Sequence, residues 1–398
     1  MSDTYGTEAA ESGYETEGSE EDAQAARRLA ARRGAKRTLA RRPNEATLGE
    51  RLARLSEAAG SVTDLDGDLD WYGDGVVARL EAKVAALLGK DAAAFFPSGT
   101  MAQQVALRCW AGRTGNPTVA LHPLSHPEVH ERAALSTVTG LRTVHPTGEP
   151  RQITADEVDA LDEPFGTLML ELPLRDAGFV LPTWQELVEV CGAARARDAV
   201  VHFDGARLWE CAEHFGRPLD EIAAQADSVY VSFYKTLGGL SGAALAGPQS
   251  FVDEARAWRH RYGGQIFQQF PQAVAALVGL DRELPRLPEY VVHARVVARA
   301  IREGFAEAGV GWARVHPEVP HTHEFRVWLP YDPDALTEAA VAQAEETKAV
   351  LFGRWSPSDR VPGLSFTEVT VAGPGLEWSA EDVRAAVADF VRRLPGRS

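Results

Sequence analysis

The stretch Ala226 to Gly247, ADSVYVSFYKTLGGLSGAALAG, places one lysine, Lys235, between an apolar run and a glycine pair. Ser228 to Phe233 is rich in β-branched and aromatic residues and is followed by a turn signal, which predicts a strand. Gly238, Gly239 and Gly242 free the backbone beyond it, so an amine at the strand's end can be held against a large flat group. A lysine in that setting suits Schiff-base chemistry. The plain alternative is a surface lysine in a loop, because lysine is seldom buried without a partner.

The companion that decides between these lies one crossover unit upstream. Ala199 to Glu210, AVVHFDGARLWE, is an apolar run ending in Asp204 and Arg207. A short run followed by Asp-Gly predicts a buried parallel strand with a carboxylate at its carboxyl end, where α/β sheets place their ligands. Two neighbouring strand ends then offer an acid and an amine to one crevice. Pyridoxal phosphate needs such a pair: an amine to bind its aldehyde, and a carboxylate to keep the pyridine nitrogen protonated so the ring can accept electrons. Helix capping is the plain alternative for Asp204.

Working outward, Ala92 to Leu107 (AAAFFPSGTMAQQVAL) reads as strand, turn and helix, with Ser98, Gly99 and Thr100 at the turn. Hydroxyls and backbone N–H groups at a helix N-terminus bind anions, so this turn is the phosphate cradle, with an ordinary N-cap as the alternative. His122, His126, His130 and Glu131 crowd into LHPLSHPEVHE. Pro123 and Pro127 interrupt any single helix there, which removes the regular spacing of a helical zinc motif, and a histidine stacked on an aromatic cofactor explains the crowding equally well. No metal is expected. Strand and helix signals alternate from about Ala92 to Gly247, which is a doubly wound α/β pattern with a mainly parallel sheet. Beyond Trp312 the pattern changes to a small α+β domain. The expected boundaries are a disordered charged tail over 1–45, or one helical only in its basic half, a large domain over 46–285 and a small C-terminal domain over 286–398.

With 398 residues, 45% hydrophobic and 25% charged, the composition is that of a soluble globular protein. The formal charge of -16 argues against nucleic acid as a partner. No apolar run reaches membrane-spanning length, the N-terminus lacks a signal-like apolar segment, and Cys109, Cys191 and Cys211 suit reduced thiols, so a cytoplasmic protein is expected. The acid-rich loop Asp64 to Gly75 lacks the distal glutamate of a calcium loop and reads as a polar loop.

Tyr72-Gly73, PSGTM, Ser125-His126, HFDGAR and the lysine segment with its Gly-Gly, in this order and spacing, resemble the threonine aldolase / aromatic amino acid β-eliminating lyase family of fold-type I pyridoxal phosphate enzymes. The resemblance covers about residues 70 to 280. It implies that Lys235 binds the cofactor, that Asp204 partners the pyridine nitrogen, that Ser98, Gly99 and Thr100 hold the phosphate and that His126 stacks on the ring. Arg207 is similar to the arginine that holds the substrate carboxylate near the cofactor. A homodimer or homotetramer is implied as well. The chain departs from the family pattern at ELPLRDAG (Glu171 to Gly178), at Tyr234 before the lysine, and at Thr367, where a second carboxylate-binding arginine is usual.

The expected reaction is cleavage of the Cα–Cβ bond of a β-hydroxy-α-amino acid to glycine and an aldehyde, with His126 as first and His130 as second candidate base. The alternatives are β-elimination or other Cα chemistry on the same cofactor, with Arg175 or Arg326 serving a different carboxylate, and a non-catalytic binding protein. Trp71, Tyr72, Tyr234, Tyr262 and Phe267 are candidates to line the substrate pocket, with Tyr72 assigned to substrate; aromatics at such spacing equally belong in a core.

Overall fold

The computed structural model describes residues 11–41, 45–358 and 360–395. The chain divides into two compact units. The larger takes Leu48–Ala298 and Val315–Arg326; the smaller takes the described parts of Met1–Thr47, Arg299–Arg314 and Val327–Ser398.

The larger unit is built on a seven-stranded sheet: β1 (Ala92–Phe96), β2 (Thr118–Ala120), β3 (Arg142–Val144), β4 (Thr167–Glu171), β5 (Val200–Gly205), β6 (Ser228–Ser232) and β7 (Ala243–Gly247). Their order across the sheet is β1-β7-β6-β5-β4-β2-β3. The pairs from β3 through β6 are parallel, and β7 runs antiparallel to both β6 and β1. This is the doubly wound, mainly parallel α/β sheet that the strand and helix alternation predicts. The antiparallel β7 is not predicted, because AALAG carries none of the bulky residues that mark a strand. It lies buried between two neighbours, where small side chains leave room for the helices packed above.

Parallel pairing sets the register that matters for chemistry. Glu171 at the end of β4 pairs with Asp204 on β5, and Asp204 pairs with Tyr230 on β6. Two carboxylates thus stand side by side at the carboxyl edge of the sheet. The helix Gly99–Thr114 follows β1, with Ser98 as N-cap accepting a hydrogen bond from the Met101 amide at 3.3 Å. Gly99 is obligatory there, since an added Cβ would sit 2.1 Å from the Tyr230 hydroxyl. Below the sheet edge, Trp110 stacks on Phe251 with centroids 4.7 Å apart, within an apolar cluster that includes Phe96, Val105 and Leu245. The acid-rich loop has a structural use: buried Asp70 accepts from the amides of Gln269 and Phe270, at the start of the helix Phe270–Arg282.

In the smaller unit the sequence expectation over 1–45 requires correction. Glu11–Arg33 is a helix, and Arg37–Thr38 pairs in parallel with Ala349–Val350. The run DAQAARRLAARR is rich in strong helix formers, and its basic end lies at the helix C-terminus, where the dipole favours it. Arg27 donates to both Glu345 oxygens (2.9 and 2.7 Å) and to Glu338 (2.8 Å) on the helix Pro333–Thr347. Such exposed pairs contribute about 1 kcal/mol at most. Burial of Ala31 and Ala35 against Val341, Ala344 and Val350 is the more durable anchor. The first ten residues lie outside the described part.

Candidate active site

Lys235 follows β6 in a turn closed by its own backbone: Gly239 N donates to Phe233 O at 2.8 Å and Gly238 N to Lys235 O at 3.2 Å. Gly238 takes φ +66°, and a Cβ on Gly239 would meet Phe233 O at 2.7 Å, so this turn requires its glycine pair. Arg51 braces the outside by donating to Gly238 O and Gly239 O at 2.8 and 2.9 Å. The lysine is half-buried, and among the described residues its ammonium makes no hydrogen bond; Nζ is 5.9 Å from the centroid of the Tyr234 ring. Burial lowers its pKa, and the Arg207 charge lowers it further against the pull of Asp204 and Glu171. A depressed amine is the nucleophilic form that carbonyl chemistry needs.

Asp204 is 1% exposed, and the one hydrogen bond its carboxylate accepts among the described residues comes from the Ala206 amide at 3.1 Å. Burial raises its pKa, opposed by Lys235 and His126. A protonated ring nitrogen would supply the donor this carboxylate lacks. Amine, acid and the Ser98–Thr100 turn at a helix start, with Ser98 and Thr100 exposed, therefore fit pyridoxal phosphate in the chemistry of their donors. His202 of HFDGAR does not share in this: it is buried between Ser228 Oγ (2.7 Å) and Gln103 Oε1 (2.8 Å), and burial pushes its pKa down to about 3.

His126 is held through both ends. Its amide donates to Glu171 Oε2 at 2.6 Å, and Nδ1 meets Glu131 Oε1 at 3.2 Å. Glu131 is buried and also accepts from Gln104 Nε2 at 3.1 Å. The Glu131 hydrogen bond raises the His126 pKa, against burial. With Nδ1 engaged, Nε2 is the atom left for a substrate or cofactor. His130, the second candidate base, is exposed and bonded through Nε2 to Asp176 at 2.6 Å. Tyr72 joins an exposed aromatic group, 5.4 Å from Phe267 and 6.3 Å from Trp71, and no ring contact or hydrogen bond links it to Lys235, Asp204 or His126 among the described residues.

Arg207 is ion-paired with Glu324 and lies over Phe179, 5.3 Å from its centroid. Beside it, buried Glu210 accepts from Thr236 Oγ1 and pairs with His323 Nε2, both at 2.8 Å. Burial works to raise the Glu210 pKa, and the charge and hydrogen bond of His323, with Arg207 and Thr236, together outweigh it and hold it below the usual carboxylate range. Glu210, His323 and Glu324 bring potential metal ligands within 4.8 Å of one another, in a cluster whose carboxylates also serve Arg207 and Thr236. The sequence marks Glu131 only as one of the crowded residues of LHPLSHPEVHE, and it marks none of Glu171, Glu210 and Glu324 as a site residue. Only the register of Glu171 with Asp204 could have flagged one of them, since both end buried strands.

Glu171 is the more informative of these. Its carboxylate accepts the amides of His126 and Arg175 (2.6 and 3.1 Å), so it anchors two loops at once. Burial, then the Asp204 charge, pushes its pKa up to about 7 from 4.5. The folded state thus binds this proton more tightly than the unfolded chain. The stabilising contribution is complete below pH 4.5 and is lost as pH rises toward 7. For the cofactor-free protein this is a loss on the order of 2 to 3 kcal/mol. Glu171→Gln, which stays neutral and keeps one acceptor oxygen, flattens that slope in thermal melts compared at about pH 5 and about pH 7.5.

Comparison with known proteins decides the family. The profile described as "Beta-eliminating lyase" matches residues 54–310. The chain belongs to the β-eliminating lyase family. It is 30% identical over 253 residues to the low-specificity L-threonine aldolase 1 of Arabidopsis thaliana, covering 60% of this chain and 69% of that protein. The low-specificity L-threonine aldolase of Escherichia coli is 30% identical over 250 residues, with 60% and 73% covered. A solved structure from Listeria monocytogenes, provisionally named an L-allo-threonine aldolase, superposes with a TM-score of 0.84 at 31% identity, over 93% of this chain and all of that one. A β-eliminating lyase/threonine aldolase structure from Exiguobacterium, also provisionally named, gives 0.83 at 33% identity. The threonine aldolase family and fold-type I architecture that the motifs imply are thereby shown, and the chain is a threonine aldolase-like lyase.

Proposed function

We propose that this lyase uses pyridoxal phosphate to cleave a β-hydroxy-α-amino acid into glycine and an aldehyde, with Lys235, Asp204, His126 and Arg207 as its working residues. The observation that supports this most is a half-buried amine and a buried carboxylate on adjacent strand ends, the amine without a hydrogen bond and the carboxylate short of a donor among the described residues. The bound cofactor supplies a protonated ring that takes up the electron pair left at Cα. Lys235 would hold the cofactor at its aldehyde carbon. Asp204 keeps the ring nitrogen protonated, and Ser98, Gly99 and Thr100 hold the phosphate.

Arg207 would take the substrate carboxylate, which exchanges with Glu324, and so orient the substrate. His126 Nε2 accepts the β-hydroxyl proton, with Glu131 stabilising the cation that forms. As that proton leaves, Cβ becomes the aldehyde carbonyl, the Cα–Cβ bond breaks, and Cα then takes a proton to give glycine. His130, whose Nε2 is engaged by Asp176, is the second candidate base in this reading.

A homodimer or homotetramer belongs to the same proposal. Leu48, Leu52, Trp71, Tyr72, Ile266 and Phe267 are large apolar residues exposed on the larger unit, and a second copy would cover them. No helix among the described residues is long and apolar enough to cross a membrane, and we place the protein in the cytoplasm with an amino acid as its small-molecule partner. Product analysis tests the reaction: L-threonine or L-phenylserine yields equimolar aldehyde and glycine. Ammonia and a keto acid instead would assign β-elimination.

A further inference from the structure

Three hydroxyl side chains of β6, those of Ser228, Tyr230 and Ser232, share one face of the sheet, since strand residues two apart point the same way. Two of them are engaged. Ser228 Oγ accepts from Trp110 Nε1 and meets His202 Nδ1, both at 2.7 Å, and Ser232 Oγ donates to Ala206 O at 2.9 Å. Tyr230, between them, is 3% exposed and belongs to the apolar cluster that holds Ala102, Val105 and Ala106 of the helix Gly99–Thr114. Its hydroxyl makes no hydrogen bond among the described residues. A buried hydroxyl left unpaired is unfavourable, so this one calls for an acceptor that a ligand brings.

The hydroxyl is aimed at the helix start. A Cβ placed on Gly99 would lie 2.1 Å from the Tyr230 oxygen, 2.9 Å from Cζ and 3.4 Å from Cε2, so the ring approaches that residue end on, oxygen foremost. The first amides of a helix have no acceptor within it. Ser98 Oγ takes that of Met101 at 3.3 Å, which leaves those of Gly99 and Thr100 for an anion. Tyr230 also pairs in register with Asp204, the carboxylate assigned to the pyridine nitrogen, so adjacent strands carry the acid and the phenol. Burial, then the charges of Asp204 and Tyr234, push the phenol pKa well above its usual value against Arg207, and the group stays a donor.

We propose that Tyr230 is a further cofactor ligand, its hydroxyl donating to the phosphate held at the Ser98–Thr100 turn. The proposal rests on the pyridoxal phosphate reading above. The turn offers amides and hydroxyls from the helix, and the phenol adds a neutral donor from the sheet. Neither Ser228 nor Ser232 can replace it, because both hydroxyls already have partners. Two consequences follow from a donor that is unpaired until phosphate arrives. The hydroxyl favours the phosphorylated cofactor over its unphosphorylated form, and it adds stability only when the anion is bound.

The test compares wild type with Tyr230→Phe, which keeps the ring and its packing. Each protein, freed of cofactor, is titrated with pyridoxal phosphate and with pyridoxal while the visible absorbance is followed, and is melted with and without inorganic phosphate. Y230F binds pyridoxal phosphate about tenfold or more weakly than wild type, the size of a hydrogen bond to a charged group, and pyridoxal within about twofold. Without ligand Y230F melts at or above wild type, because an unpaired buried hydroxyl has gone; inorganic phosphate raises the wild-type melting temperature more than that of Y230F. A variant that holds pyridoxal phosphate as tightly as wild type would overturn the proposal and leave the cofactor reading intact. Equal weakening toward both aldehydes, or a ligand-free variant that melts well below wild type, would also overturn it, by giving the hydroxyl a role at the ring or in the fold. If the response to inorganic phosphate depends on Tyr230 but neither aldehyde gives a band with wild type, the anion contact stands and the pyridoxal phosphate reading fails.

Discussion

Lys235→Ala lowers turnover by about ten-thousandfold, because one substitution removes both the group that holds the cofactor and a proton carrier at Cα. Stability is expected to be unaffected. The amine makes no hydrogen bond among the described residues, and the turn that carries it is closed by backbone contacts of Phe233, Gly238 and Gly239. A thermal melt of the variant close to that of wild type, beside an aldehyde assay at background, is the expected pair of results. A loss of activity accompanied by a large drop in melting temperature would instead give the lysine a structural role.

Asp204→Asn has the second largest effect, lowering turnover by about a hundredfold or more while cofactor still binds. Asparagine fills the same space at the end of β5 but cannot hold a ring nitrogen in its protonated form. The substitution also carries a stability signature of opposite sign. Asp204 is the second cause, after burial, of the raised Glu171 pKa. Removing its charge lets Glu171 ionise more readily, so the cofactor-free variant loses less stability than wild type as pH rises from 4.5 toward 7. Chemistry worsens while the fold is relieved, a combination that simple damage to the sheet would not produce. Steady-state rates and melts across pH read the two effects separately.

The sheet was legible in the sequence where its strands were built from bulky residues. Thr167–Glu171 and Ser228–Ser232 lie where TLMLE and SVYVSF predict, and the alternation of strand and helix gives the doubly wound order. It was not legible at Ala243–Gly247, whose small residues suit a strand enclosed by two others and carry no periodic signal. Among the candidate residues, Lys235, Asp204 and His126 lie close enough to shift one another's charge. Lys235 and Asp204 could be found because strand ends before Gly or turn residues are recognisable one at a time, and His126 through the crowded LHPLSHPEVHE segment and the family resemblance. Glu171 and Glu324 could not, since their relation to the site comes from pairing register and from segments far apart in the chain. The tail failed for a related reason. Composition alone says that Arg27 and its neighbours lack a core, and only the fold reveals the acidic helix Pro333–Thr347 that receives them.

The central claim is that Lys235 carries the cofactor aldehyde, and borohydride reduction of the holoenzyme followed by peptide mass analysis tests it most directly. Reduction fixes the cofactor to whichever amine it has joined. The account predicts one added cofactor mass, on the peptide containing Lys235 and on no other. Addition at a different lysine such as Lys90, or a protein that takes up no label after incubation with pyridoxal phosphate, would contradict it.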